Sequence, residues 1–130
     1  MFFDSHCHLT SEVLASQLDE VLQRARAAGV TRVLNIGDML ESSRAALTQI
    51  PLAKNYGVEM WTSAGVHPQN ALQFDFENSI GVLRALAQDE NVVAIGEIGL
   101  DFVYDENHQK FPGAPRALQE RVLRAQLELA

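Results

Sequence analysis

Cysteine is nearly absent. Cys7 stands alone among 130 residues, so no internal disulfide can staple the fold. A chain that cannot form an internal disulfide is read most simply as cytoplasmic. Long apolar runs are missing too. None approaches the roughly 20 residues that span a bilayer, and the N-terminus lacks the basic patch and apolar core of a secretory signal. No membrane partner is expected. Basic charge is scarce: 10 Lys and Arg against 17 Asp and Glu give a net charge of −7. A protein that holds nucleic acid by charge alone is basic. Any nucleic-acid partner here therefore needs bound metal ions or a local basic patch to offset the acidic surface. No long Lys/Arg cluster supplies one, and Arg24, Arg26, Arg116, Arg121 and Arg124 are spaced like solvated helix positions. Low-complexity tracts and obvious linkers are absent as well. What remains is a globular composition, 47% hydrophobic and 21% charged, on a chain long enough for one ordinary core.

A short apolar run followed by an amphipathic helix occurs four times. The first run is 1–4, followed by a helix over roughly 16–28, in which Leu18, Val21, Leu22 and Ala25 share one face and Gly29 is the natural stop. The second run is 31–36. Its helix starts near Glu41 or Ser42 and meets Pro51, which removes a helical hydrogen bond and crowds the preceding turn. A kink there, or a short second helix ending at Gly57, is expected. The third run, 58–64, leads into "GVHPQ" and a helix over roughly 77–88 that turns Ile80, Leu83 and Leu86 inward. The fourth, 92–95, leads into "GEIGLD". A last helix opens at Pro115, with Leu118, Val122, Ala125 and Leu129 on its face. Strands alternating with helices imply a parallel sheet with helical crossovers. The nearly continuous apolar runs suit strands covered on both faces. The longest irregular piece, 102–114, is polar, carries Gly and Pro, and reads as a loop over the mouth of a site.

In parallel α/β sheets, ligands collect at the carboxyl ends of the strands. Every unusual polar residue here falls at such an end: His6 and His8, then Asn35 and Asp38, then His67, then Glu97 and Asp101. In an extended strand residues i and i+2 share a face, so His6 and His8 can aim two ring nitrogens at one point while Cys7 turns away as a small buried filler. Imidazole is the commonest side-chain ligand of zinc. The ordinary alternative is a pair of loop or core histidines. Glu97, between Gly96 and Gly99 and flanked by Ile95 and Ile98, needs a cation or donors nearby; an arginine from a neighbouring strand end would serve as well as a metal. Its two oxygens would allow it to bridge two ions. Asp4 and Asp101 suit carboxylates that accept the free N–H of ligating imidazoles, or simple caps of the following turn. His67 suits a ligand, a proton donor, a phosphate contact or a structural role. His108 reads as solvated, Trp61 as core, and Phe102 and Tyr104 as a hydrophobic lid or a stacking surface for a base.

Taken together, "FFDSHCHL", "GVHP" and "AIGEIGLDF", in this order and spacing, resemble the TatD family of metal-dependent hydrolases. The resemblance runs the whole length of the chain. It implies a (β/α)₈ barrel of the TIM type, with a two-metal site in its mouth, whose members are deoxyribonucleases and related phosphodiesterases. By resemblance His6 and His8 bind the first metal and Glu97 bridges both. His67 lies near the substrate phosphate and Asp101 supports from behind. Two divalent ions, Mg, Mn or Zn, would activate water for attack on phosphorus. The partner would be DNA or another phosphodiester. The loop from Asp105 to Ala114 is longer than the family's usual one, which bears on substrate preference.

The resemblance also implies what is not here. A full barrel takes about 250 residues, and the family places two further histidines and an aspartate on later strands. Residues 1–130 read as the N-terminal half of a single barrel domain, with most ligands of the first metal and Glu97 alone for the second. Open sheet edges and an apolar inner face are then expected to drive self-association or pairing with a complementing half. Three functions stay in view: the nuclease, a catalytically silent metal-binding half-barrel, and an amidohydrolase of the wider barrel superfamily. That wider group often has a carbamylated lysine where this chain has Glu97.

Overall fold

The computed structural model describes residues 1–110 and 113–130; Phe111 and Pro112, part of the loop expected over 102–114, lie outside the described residues. Four parallel strands form one sheet in the order β1-β2-β3-β4: β1 (Phe2–Cys7), β2 (Val30–Asn35), β3 (Glu59–Ala64) and β4 (Val92–Ile95). These are βα units of the TIM-barrel type, as the alternation of strand and helix patterns implies. The helices are α1 (Glu12–Ala15), α2 (Leu18–Ala27), α3 (Leu40–Asn55), α4 (Ser79–Leu86) and α5 (Arg116–Leu127), with a 3₁₀ helix at Pro68–Gln73.

Several boundaries differ from those the periodicity suggests, each for a local reason. The helix expected from about residue 16 is α2, and a further short helix, α1, precedes it with Ser16 and Gln17 between them; the Ser16 hydroxyl and the Gln17 amide both donate to the Val13 carbonyl at 3.0 Å. Side chains thus occupy a backbone acceptor at the junction. Pro51 does not split α3, which runs on to Asn55. It sits near the C-terminal end, where few helical bonds remain to be lost, and the helix is held to the core on both sides of it by Ala46 and Ala53, each fully buried. Pro115 is the N-cap residue of α5 rather than its first helical residue. Gly29 and Gly57 follow α2 and α3 at φ of 86° and 69°, a left-handed conformation that ends a helix without a Cβ clash.

The core lies on the helix-covered face of the sheet. One cluster joins Val33, Val58 and Met60 to Leu18, Leu22 and Ala53; a second joins Ala64 and Val66 to Leu83 and Val122. Cys7 packs against the first cluster and donates to the Leu34 carbonyl at 3.4 Å. Burial, reinforced by the Asp4 charge, pushes its thiol up to about 12, so it is a filler and not a nucleophile. The opposite face is different. Trp61 is only half-buried there, edge-on to Phe3 with ring centroids 6.4 Å apart, and Arg32 pairs with Glu59 at 2.8 Å. Phe2, Phe3 and Val93 are more than half exposed. Within the described residues, β1 and β4 each have one neighbour strand, so both sheet edges are open. No described helix is long and apolar enough to cross a membrane.

Candidate metal centre

The site is assembled at the carboxyl end of the sheet by backbone contacts between strand ends. Two successive carbonyls after β2 do most of this. Gly37 O accepts the Glu97 N–H at 2.7 Å, and Asp38 O accepts the His67 N–H at 2.8 Å. Asp38 is itself fixed by the Ser42 hydroxyl, which donates to Asp38 Oδ1 at 2.6 Å. Asn35 is fully buried. Its Oδ1 accepts the Leu9 N–H at 2.9 Å, its amide donates to Gln49 Oε1 at 2.9 Å, and Gln49 returns a bond to Leu9 O at 3.0 Å. That ring of bonds holds the turn directly after His8. Gly65 lies so close to the next strand end that a Cβ there would be 2.6 Å from Gly96 C and 3.0 Å from Glu97 N. The Gly96–Glu97 peptide is cis.

On this frame His6 and His8 project from β1 and its following turn with their Nε2 atoms 3.2 Å apart. Each Nε2 is 3.7 Å from Glu97 Oε2. The three form a group whose ligand atoms all lie within 4.8 Å of one another. A point in their plane equidistant from the three atoms is about 2 Å from each, the length of a zinc–nitrogen or zinc–carboxylate bond. The donor set therefore fits a divalent transition ion. Glu97 is partly exposed, at 32% of its side chain, so burial alone does not demand a partner. Its ionic neighbours among the described residues are imidazoles, with no arginine in reach. An open cleft of about 510 Å³ runs from His8 between the turn at Thr10 and Ser11 and the start of α3 at Asp38 and Met39. Another hollow of about 310 Å³, around Lys54, Trp61 and Asn91, lies at the other end of the sheet, away from these groups.

His67 sits on the far side of Glu97, with Nε2 3.9 Å from Oε1. It is the N-cap of the 3₁₀ helix, Pro68 follows in its first turn, and the Gln69 N–H donates to His67 Nδ1 at 3.2 Å. Nδ1 therefore accepts, and the neutral ring carries its proton on Nε2, the nitrogen that faces Glu97.

The two aspartates behave as caps in the described contacts. Asp4 accepts the backbone N–H of His6 at 3.1 Å, not an imidazole N–H. Asp101 Oδ1 accepts the N–H groups of Val103 and Tyr104, and Oδ2 accepts the Gln69 side-chain amide at 2.8 Å. The Gln69 bond holds the Asp101 carboxyl below the usual carboxylate range, with the Val103 and Tyr104 amides and the nearby His67 ring adding to it. His108 is not solvated: it is half-buried and stacks on Tyr104 at 4.8 Å between centroids. Phe102 and Tyr104 remain partly exposed, and the Arg116 guanidinium lies 4.6 Å over the Phe102 ring.

Arg116, read from spacing as a solvated helix position, instead anchors this loop. Its Nε is 2.5 Å from the carboxylate of Asp105, which is buried and also accepts the Asn107 N–H at 2.8 Å. The Arg116 bond, then the Asn107 bond, depress the Asp105 pKa. The folded value lies below the unfolded one, so this anchoring is complete above the unfolded value of about 3.9 and is lost as pH falls through the folded value. The Asn107 amide resonance is expected to titrate with a midpoint below about 3.9; a midpoint at or above it would refute the anchor.

Parallel βα units that gather an H-x-H pair and a glutamate at their strand ends define a chain of the barrel class with a candidate metal centre. The family described as "TatD related DNase" matches residues 3–130, and the chain belongs to that family. It is 41% identical over 128 residues to a "3'-5' ssDNA/RNA exonuclease TatD" from Cronobacter sakazakii, covering 98% of this chain and 44% of that protein. It is 33% identical over 131 residues to the "Uncharacterized metal-dependent hydrolase YabD" of Bacillus subtilis, covering 100% of this chain and 46% of that one. A TatD family hydrolase from Entamoeba histolytica superposes with a TM-score of 0.83 at 26% identity, over 98% of this chain and 45% of that chain. An uncharacterized amidohydrolase from Saccharomyces cerevisiae, at TM-score 0.79 and 22% identity, shares the fold. The chain thus spans about half the length of the relatives it matches.

Proposed function

We propose that the protein is a metal-dependent phosphodiester hydrolase acting on single-stranded nucleic acid, and that residues 1–130 supply the N-terminal half of its barrel and most of its first metal site. The observation that carries this reading is the His6–His8–Glu97 triangle, whose centre lies at metal–ligand distance from all three donor atoms. The Cronobacter relative's name supports the substrate class. When bound, divalent ions (Zn, Mn or Mg) would acidify a water and offset charge developing on the phosphate. The chain's own residues do the rest. His6, His8 and Glu97 would hold the first ion, and Glu97 Oε1 faces His67 Nε2 at 3.9 Å. His67 presents an Nε2–H to a phosphate oxygen. Asp4 fixes the His6 backbone, and Asp101 fixes Gln69 and through it the His67 turn. Held ions would also answer the −7 net charge, since they meet the phosphates locally.

Labelled single-stranded DNA incubated with the chain and Mg, Mn or Zn in turn tests this directly. Hydrolysis that disappears in Glu97→Ala is the expected result for a competent site. Ion binding without any hydrolysis above the Glu97→Ala background would favour the silent half-barrel instead.

The exposed Phe2, Phe3 and Val93 and the two open sheet edges support a further expectation. Apolar surface and unpaired strand edges of this kind associate. Light scattering on the purified chain is expected to give a mass above the monomer's. A cooperatively folding monomer at tens of micromolar would count against it.

A further inference from the structure

Helix α5 carries two glutamines on its apolar face. Gln119 and Gln126 are both fully buried, one on either side of Val122. They are seven residues apart, about 10 Å along the helix axis. Each side-chain amide closes a two-bond ring with the backbone of one loop residue. Gln126 Oε1 accepts the Val66 N–H at 2.7 Å and Gln126 Nε2 donates to Val66 O at 3.1 Å. Gln119 Oε1 accepts the Asp101 N–H at 2.8 Å and Gln119 Nε2 donates to Asp101 O at 3.0 Å and Ala114 O at 2.9 Å. Val66 and Asp101 lie past the ends of β3 and β4, where the strand ladder no longer supplies partners. A leucine in place of Gln126 would strip these bonds from the buried Val66 N–H and carbonyl, and one in place of Gln119 would strip them from the Asp101 N–H and the Asp101 and Ala114 carbonyls. The identity of these side chains is therefore set by the loops they hold rather than by the helix.

Those loops carry the chemistry. Val66 precedes His67, and Asp101 binds the side chain of Gln69, whose own N–H fixes the His67 ring. The bonds form a closed circuit: Gln126 to Val66, along the chain through His67 to Gln69, across to Asp101, and back through Gln119 to α5. The circuit meets the His6–His8–Glu97 group at one point, His67 Nε2, which is 3.9 Å from Glu97 Oε1; those three residues are otherwise held by β1, β4 and Gly37.

We propose that Gln126 and Gln119 are positioning residues: α5 sets the separation of the His67 and Asp101 loops and so aims the His67 Nε2–H beside Glu97. The inference rests on the reading of His67 as a phosphate donor. Its first test needs neither metal nor substrate. Imidazole ¹⁵N spectra of the whole chain are expected to show His67 protonated at Nε2 in the parent. In Gln126→Met, which keeps the length and loses both bonds, they are expected to show mixed tautomers. Gln126→Glu is expected to match the parent, because burial favours the neutral acid, which offers the same acceptor and donor. Unchanged His67 signals in a folded Gln126→Met chain would overturn the proposal, as would a parent ring protonated at Nδ1. If Gln126→Met does not fold, Gln119→Met puts the same question through the other clamp.

The second test reads the consequence. With Mn²⁺ bound, inorganic phosphate is expected to bind about tenfold more weakly to Gln126→Met and to His67→Ala. The double variant should lose no more than either single one, since both act through the same ring. Mn²⁺ affinity itself should stay within about twofold, because the circuit omits its ligands. Additive losses in the double variant would assign Gln126 a merely structural part and overturn the proposal. A parent chain that binds no Mn²⁺ would overturn the metal reading alone, and the imidazole spectra would still decide the clamp.

Discussion

Glu97→Ala is expected to weaken divalent-ion binding by more than about 100-fold, measured by calorimetric titration of the chain with Zn²⁺ or Mn²⁺. Substitutions merely behind a metal's ligands cost about 10- to 100-fold, and Glu97 contributes one of the three donor atoms at the site. The same change is expected to be mild for the fold. The bond that ties this residue into the sheet comes from its backbone N–H to Gly37 O, which alanine keeps, and the side chain is already partly exposed. Removing it also relieves no ion pair with arginine or lysine among the described residues. Unfolding curves should therefore nearly superpose while ion binding is lost. Equal affinities in parent and variant would mean that the triangle of donors is a coincidence of packing, and the proposed function would lose its support.

The opposite pattern, in which folding and the site fail together, is expected for Gly65→Ala. The added Cβ would stand 2.6 Å from Gly96 C, 2.7 Å from Gly96 O and 3.0 Å from Glu97 N. All three are backbone atoms, so no rotamer change can make room. The end of β4 has to move away from β3, at a cost of about 1–3 kcal/mol or more. That movement carries Glu97 with it, so ion affinity should fall as well, although Gly65 is no ligand. Urea unfolding followed by ion titration of the folded fraction measures both. Gly81 provides the control. It lies within α4 with no heavy atom inside 4 Å of a built Cβ, so Gly81→Ala should stabilise the chain by about 1 kcal/mol through helix propensity. If Gly65→Ala were as stable as Gly81→Ala, the close approach of the two strand ends would be wrong.

What could be read before folding was whatever repeats locally. Strand β4 falls at 92–95 as its apolar run indicates, and Leu83 lies at the centre of the face assigned to its helix. The H-x-H reading needed only the two-residue period of a strand, and the structure brings both Nε2 atoms together with Cys7 turned to the core. The same local logic missed what depends on distant partners. Gln119 and Gln126 share a helical stripe with Val122, but the face read from the sequence was Leu118, Val122, Ala125 and Leu129, and neither glutamine stood out. Their partners were not visible either, because Val66 lies 60 residues from Gln126. Arg116 looked solvated because spacing says nothing about a buried carboxylate eleven positions upstream. Asp4 and Asp101 were open between supports for imidazoles and caps of the following turn, and their described bonds go to nearby backbone N–H groups and the Gln69 amide.

The sequence by itself determined the alternation of strands with helices, the end of the sheet where polar groups collect, and His6, His8 and Glu97 as candidate donors. Periodicity and residue chemistry are properties of neighbours in the chain, and they survive without a fold. The tertiary structure alone decided that three candidate donors 91 residues apart at their extremes come within 4.8 Å of one another, and that Nδ1 of His67 faces the Gln69 N–H. It also decided that two carbonyls after β2 bond to Glu97 and His67, and that two glutamines on α5 bond to Val66 and Asp101. Those outcomes depend on angstrom distances between strand ends, and such distances are fixed only when parallel strands pair in register and the helices close over them.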